Sequence, residues 1–163
     1  MADRLSQKQF DLVARRAFGS VLEPHGFSCA DSKWCTFYRP LGNDLYHFIV
    51  PDRLRRLPKF DIHVFAHSPV LDPENWETRF PDTVGFPTGS LSYLHSRTGV
   101  GPDQELYFCR TEEGLMRDFE GRVKPALITF ALPFLDRIKS LPDLKRLTLH
   151  PTMAERLNAA LAT

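Results

Sequence analysis

A chain of 163 residues matches one domain on a prior of ~150 residues per domain. Its 21 Lys+Arg and 20 Asp+Glu leave a formal net charge of +1, and 42% of its residues are hydrophobic. That balance excludes a disordered chain, a collagen-like repeat, a disulfide-knit mini-protein and a highly basic nucleic-acid binder. Basic and acidic residues are spread evenly along the chain, so no half serves as an electrostatic arm.

Cys29, Cys35 and Cys109 form an odd set without CxxC spacing. The arithmetic argues against a disulfide framework or a zinc knuckle, and for free thiols in a reducing, cytoplasmic compartment. The first residues carry no apolar run, so no secretory signal is expected. The longest apolar stretch, residues 127–135, falls short of the about 20 residues a bilayer span needs, so no membrane segment is expected.

In chain order, Ser6 and Gln9 form a capping box that starts a helix. Phe10, Val13, Ala14, Ala17, Phe18, Val21 and Leu22 share one of its faces, and Pro24 with Gly26 ends it. Residues 34–39 and 45–50 read as a hairpin around the turn 40–43, with the second strand stopping at Pro51. A basic connection over 52–58 leads to the clearest alternating strand, Lys59 to His67. There Phe60, Ile62, Val64 and Ala66 face one way, and Asp61, His63, Phe65 and His67 the other. With no helix pattern between these strands, an antiparallel meander is expected.

Seven of the 13 prolines lie between Pro51 and Pro102. They disfavour a long regular element over about residues 68–90, which read as an ordered excursion pinned by Trp76, Phe80 and Phe86. Residues 90–96 and 104–110 are further strand candidates, joined by a turn over 97–102. Thr111 with Glu112 and Glu113 opens a helix, and Pro125 is expected to start a new segment with a kink or break near Pro133. Residues 143–149 read as a short helix or turn. Thr152 with Glu155 repeats the capping-box pattern before a last small helix.

The phrases Leu22-Glu23-Pro24-His25-Gly26-Phe27, Phe37-Tyr38-Arg39 and Phe60 to Phe65, with the run from Tyr107-Phe108 through Pro125 to Pro133-Phe134-Leu135, resemble a bacterial family catalogued as domain of unknown function number 4304. The resemblance covers most of residues 8–149. The basic run 53–56 and the Pro-rich 68–90 stretch depart from it. It implies an α+β protein, carries over no catalytic residue, and suggests an immunity-type or other protein-binding role.

Several constellations compete for a function. His47, Asp61, His63 and His67 are the candidate metal ligands, by residue type. Against them, His63 and His67 stand about 13 Å apart on a strand of 3.3 Å per residue, and no HExxH-type spacing occurs. No GxSxG elbow or phosphate loop is present either. The basic cluster Arg53, Arg55, Arg56 and Lys59 is the most distinctive charge feature, suited to an acidic protein patch or, less well, to nucleic acid. Trp34, Trp76, Phe80, Phe86 and Tyr93 could line a pocket, but core packing accounts for them at lower cost.

The expected fold is a single α+β domain over residues 1–163, an antiparallel sheet of about four to six strands packed by an N-terminal helix and C-terminal helices. The preferred function is a non-enzymatic protein-binding or self-associating module, without cofactor or membrane attachment, working through the basic cluster and Trp76. The alternatives are a small enzyme or a metal- or ligand-binding protein using the polar sheet face, and a weak nucleic-acid binder through the 53–59 loop.

Overall fold

A computed structural model describes residues 4–30, 35–71, 73–80, 106–146 and 151–162. Helix α1 spans Gln7–Leu22. Its capping box forms as the sequence requires: Ser6 Oγ accepts from the Gln9 N–H at 3.2 Å, and Gln9 Oε1 accepts from the Ser6 N–H at 2.9 Å. The whole predicted apolar stripe is buried. A short 3-10 turn, Glu23–His25, leads to Gly26, whose φ of 89° is the left-handed conformation that glycine tolerates.

The described residues form five strands: β1 (Ser28–Cys29), which the sequence did not suggest, then β2 (Phe37–Gly42), β3 (Leu45–Arg53) and β4 (Lys59–His67) of the predicted meander, and β5 (Tyr107–Phe108). All pairings are antiparallel and the spatial order equals the chain order. The β2–β3 turn uses positive φ at Asn43 and Asp44 (53° and 60°), conformations that short polar side chains accept.

Strand β3 does not stop at Pro51 but runs on to Arg53. Two observations explain this. The Leu54 N–H reaches the Lys59 carbonyl at 3.0 Å, which makes residue 51 a non-hydrogen-bonded partner of Ile62, its nitrogen turned away from β4. On that other side, β2 pairs no further along β3 than Ile49, so the missing N–H costs no ladder bond.

After β4, helix α2 occupies Pro73–Arg79. It is a short regular element within the Pro-rich stretch, with its proline at the tolerated first position. The rest of that stretch from 81 on, including Phe86, lies outside the described residues, as do Trp34, the strand expected over 90–96 and the turn over 97–102. Of the strand expected over 104–110, the described part is Tyr107–Phe108.

The next helix, α3, is continuous where a break was expected. It begins at Glu112, capped by Thr111 Oγ1 accepting from the Gly114 N–H at 3.0 Å, and ends at Asp136. Two π-helical stretches, Phe119–Val123 and Leu127–Ala131, let it pass both prolines. The residue before each proline, Lys124 or Leu132, bonds five residues back, to Phe119 or Leu127. The wider turn makes room for the ring and replaces the bond proline cannot donate. Helices α4 (Leu141–Lys145) and α5 (Pro151–Leu161) complete the chain. α5 begins one residue before Thr152, which is therefore inside the helix and not its cap.

Helices α1 and α3 pack on one face of the sheet. Phe18 meets Phe37 at 6.2 Å, Phe60 at 6.4 Å and Phe119 at 5.1 Å between ring centroids, and Phe10 meets Phe60 at 5.3 Å. Burying each such ring is worth roughly 1.5–3 kcal/mol. The opposite face carries a second cluster of Phe48, Val50 and Phe65, covered by Trp76 and Phe80 of the α2 region. Trp76 and Phe80 thus pin the chain to the sheet as expected. Among the described residues, no helix is long and apolar enough to cross a membrane.

Candidate functional site

The four candidate metal ligands are not gathered together. Leu45, His47 and Ile49 alternate onto the face packed by α1 and α3, and His47 is fully buried there. Its Nδ1 accepts from Arg39 Nη2 at 2.8 Å, and its Nε2 donates to the Ile138 carbonyl at 2.7 Å. Both ring nitrogens are engaged, so the imidazole offers no lone pair to an ion. Burial, aided by the Arg39 charge, draws its pKa down to about 4, against the opposing pull of the Ile138 bond.

Asp61, His63 and His67 lie on the opposite face, each with its own occupation. Asp61 Oδ1 accepts from the Ile62 N–H at 2.8 Å. His63 Nε2 pairs with Asp52 Oδ2 at 2.9 Å, which raises the His63 pKa despite partial burial. His67 is buried, with its ring 5.5 Å from that of Trp76. This face is polar at one end only; toward His67 it is an aromatic layer. Among the described residues, no group of three or more His, Cys, Asp or Glu could hold a metal ion.

The basic cluster also divides. Arg53 is half-buried and its Nε donates to the Leu5 carbonyl at 2.9 Å. Arg4 holds the same β3–β4 tip, donating to the carbonyls of Leu54 and Leu57. Arg55 and Arg56 are exposed, and Lys59 holds its ammonium 5.4 Å from the centre of the Phe108 ring. Trp76 is not part of this surface; it belongs to the aromatic layer, stacked on Phe80 at 4.9 Å.

Beside the tip lies a groove of ≈ 680 Å³ between β5 and α3, lined by Pro58, Phe108, Arg110, Arg117, Asp118 and Arg122. Gly114 and Gly121 give it a low wall; a Cβ at Gly121 would meet nothing within 4 Å. The half-buried salt bridge at its base organises it. Asp118 Oδ2 accepts the Phe108 N–H at 2.7 Å, closing the free edge of β5, while the same carboxylate takes the Arg122 guanidinium in a two-point fork. Arg122 also donates to the Leu106 carbonyl at 3.0 Å and lies 5.0 Å and 5.6 Å from the Tyr107 and Phe108 ring centres.

These contacts hold the Phe108 ring at 51% exposure between Lys59 and Arg122. Arg117 is engaged by Glu113 in an exposed pair at 3.0 Å, and Arg110 is exposed at the rim. An apolar ring flanked by cations, with two more guanidiniums on the rim, can bind an apolar side chain next to carboxylates. Phe108, Arg110, Arg117 and Arg122 were not singled out from the sequence. The one local signal was the alternation Tyr107 in, Phe108 out, within a segment too short for its phase to be read.

No protein-family model matches the chain, and comparison with curated proteins and with solved structures finds no match.

Proposed function

We propose that the protein is a non-catalytic binding module that takes an acidic segment of a partner protein into the groove between the β3–β4 tip and α3. The observation that carries this reading is the half-exposed Phe108 ring between Lys59 and Arg122, with Arg110 and Arg117 on the rim. Arg55 and Arg56, exposed on the tip beyond Pro58, extend the positive surface. The ring supplies apolar contact and the cations select the charge of the partner. An acidic protein suits this mixture better than nucleic acid, because Arg53, Arg117 and Arg122 are already occupied and no continuous basic stripe remains around the groove among the described residues. The odd set of three cysteines without CxxC spacing supports a reducing, cytoplasmic setting for such a module.

An array of Glu-rich peptides, each with one aromatic or aliphatic anchor, tests the reading against arrays in which Gln replaces Glu. Fluorescence anisotropy should show a preference for the acidic set that weakens with salt. Phe108→Ser and Arg110→Glu should each weaken it by about tenfold or more. Equal binding of the Gln peptides, or tighter binding of single-stranded DNA than of any acidic peptide, would overturn it.

A further inference from the structure

We propose that Cys29 and Cys35 form a redox-active dithiol, in which a hydroperoxide oxidises Cys29 and Cys35 closes an intrachain disulfide. The pairing of β1 with β2 creates the site. Cys29 stands opposite Phe37, and the Ala30 N–H bonds the Thr36 carbonyl at 2.9 Å, continuing the same register. Cys35, two residues before Phe37, is therefore a diagonal neighbour of Cys29 on one face of the sheet. Cys35 is part of the main core cluster and Cys29 packs against it, and the two thiols are near enough to shift each other's ionisation.

The two sulfurs are unequal in the way this chemistry needs. Cys29 is partly exposed and Cys35 is buried, so a small oxidant meets Cys29 first. Interaction with the Cys35 thiol is the largest influence on Cys29 and draws its pKa down to about 7, with help from the Arg15 charge. Burial and the carboxylates of Glu23 and Asp11 work against that lowering. The same interaction, together with burial, pushes Cys35 up, so it remains a thiol. Cys109 is buried and its thiol is pushed up to about 11 by desolvation. A thiolate beside a protonated partner is the reactive member of a pair, whereas a buried apolar thiol is inert.

The reaction balances without further components. The Cys29 thiolate attacks the peroxide O–O bond and becomes sulfenic acid, releasing hydroxide, or alkoxide from an organic peroxide, which takes up a proton. The Cys35 sulfur then attacks the sulfenic sulfur, the S–S bond forms, and water leaves with the Cys35 proton. Overall, two thiols and one hydroperoxide yield one disulfide, one water and one water or alcohol. Two thiols with no third ligand do not make a metal site among the described residues.

The protein itself provides the assay. Trypsin cuts after Lys33, between the two cysteines, and leaves Cys29 in peptide 17–33, Cys35 in 34–53 and Cys109 in 98–110. After hydrogen peroxide treatment of the full chain at low concentration, a non-reducing digest should show 17–33 joined to 34–53. The intact monomer should be lighter by two hydrogens, and dithiothreitol should restore it. Iodoacetamide should modify Cys29 about tenfold or more faster than Cys109 in the folded protein. Cys35→Ser should leave Cys29 as a sulfenic acid trapped by dimedone, and Cys29→Ser should abolish the mass loss. A wild-type protein that yields no 17–33/34–53 pair, links only between chains, or alkylates all three thiols alike would overturn the proposal, with no variant required.

Discussion

His47 Nε2 donates to the Ile138 carbonyl across 2.7 Å, tying β3 to the chain just beyond α3 over 91 residues of sequence. Arg39 completes the tie. It donates to His47 Nδ1, to the His25 carbonyl at 2.8 Å and to Asp136 Oδ1 at 3.1 Å, while its guanidinium lies 4.6 Å from the centre of the Phe27 ring. One buried imidazole and one arginine thus join the end of α1, two strands and the end of α3.

The neutral state of His47 makes this tie acid-sensitive. Its pKa is about 4 in the fold against 6.5 for an ordinary histidine, so between those values the unfolded chain binds more protons. The contribution is complete above pH 6.5, is lost as pH falls toward 4, and levels off below that. The loss is on the order of 3 kcal/mol, at about 1.4 kcal/mol per pH unit. Urea titrations across this range should show it, and His47→Gln should flatten this limb while lowering neutral-pH stability by about 1–3 kcal/mol.

His63 acts with the opposite sign. Its hydrogen bond from Nε2 to Asp52 raises its pKa in the fold, so its contribution is complete below 6.5 and is lost as pH rises through the higher folded value. Asp52 is nearly half exposed, so the effect should not exceed about 1 kcal/mol. Asp52→Asn should remove the alkaline decline and leave the acid limb of His47 intact. Equilibrium unfolding of the two variants side by side separates the histidines.

Asp118 holds the β5 edge and Arg122 together, and it is almost wholly buried. Asp118→Ala strips the partner from a backbone N–H and from a half-buried guanidinium at once. A cost of about 3–5 kcal/mol is expected in chemical denaturation. Glu113→Ala, which breaks the exposed pair with Arg117, should cost less than about 0.5 kcal/mol. Amide exchange at Phe108 should accelerate in the first variant and not in the second.

Trp76 anchors α2 through ring contacts with Tyr46 at 4.8 Å, Phe80 at 4.9 Å and Phe48 at 6.0 Å. Trp76→Ala should cost about 2–4 kcal/mol, less than a fully enclosed tryptophan because this side chain is half-buried. The loss should fall mainly on α2 and the β3–β4 face beneath it. Hydrogen exchange should therefore rise over residues 73–80 while α1 keeps its protection.

What could be read along the chain were features decided by near neighbours. The capping box at Ser6, the seven-residue stripe of α1, the alternation of β4 and the meander itself depend on spacings of a few residues. Proline was the exception among local signals. Its effect at Pro51 depends on which side of β3 lacks a partner, and at Pro125 and Pro133 on whether packing rewards a continuous helix with π turns. His47 shows the limit most clearly. Strand β3 is apolar on both faces, with Leu45 and Ile49 on one and Phe48 and Val50 on the other, so alternation could not say which face α1 and α3 would cover.

Helix α1, the antiparallel run of β2, β3 and β4 and their core-facing residues were therefore legible along the chain, because hydrophobic period and turn chemistry act over short distances; β1, α2 and the continuity of α3 were not. Long-range packing sets Phe108 between Lys59 and Arg122, brings Cys35 beside Cys29 across the β1–β2 pairing, and turns His47 inward to Ile138. Each of those depends on strand register or on a helix arriving from far along the chain, and neither is encoded in a local pattern. The near-neutral charge sharpens the same point. A formal balance of +1 conceals a surface where paired and exposed arginines adjoin one aromatic ring, and folding alone brings them together.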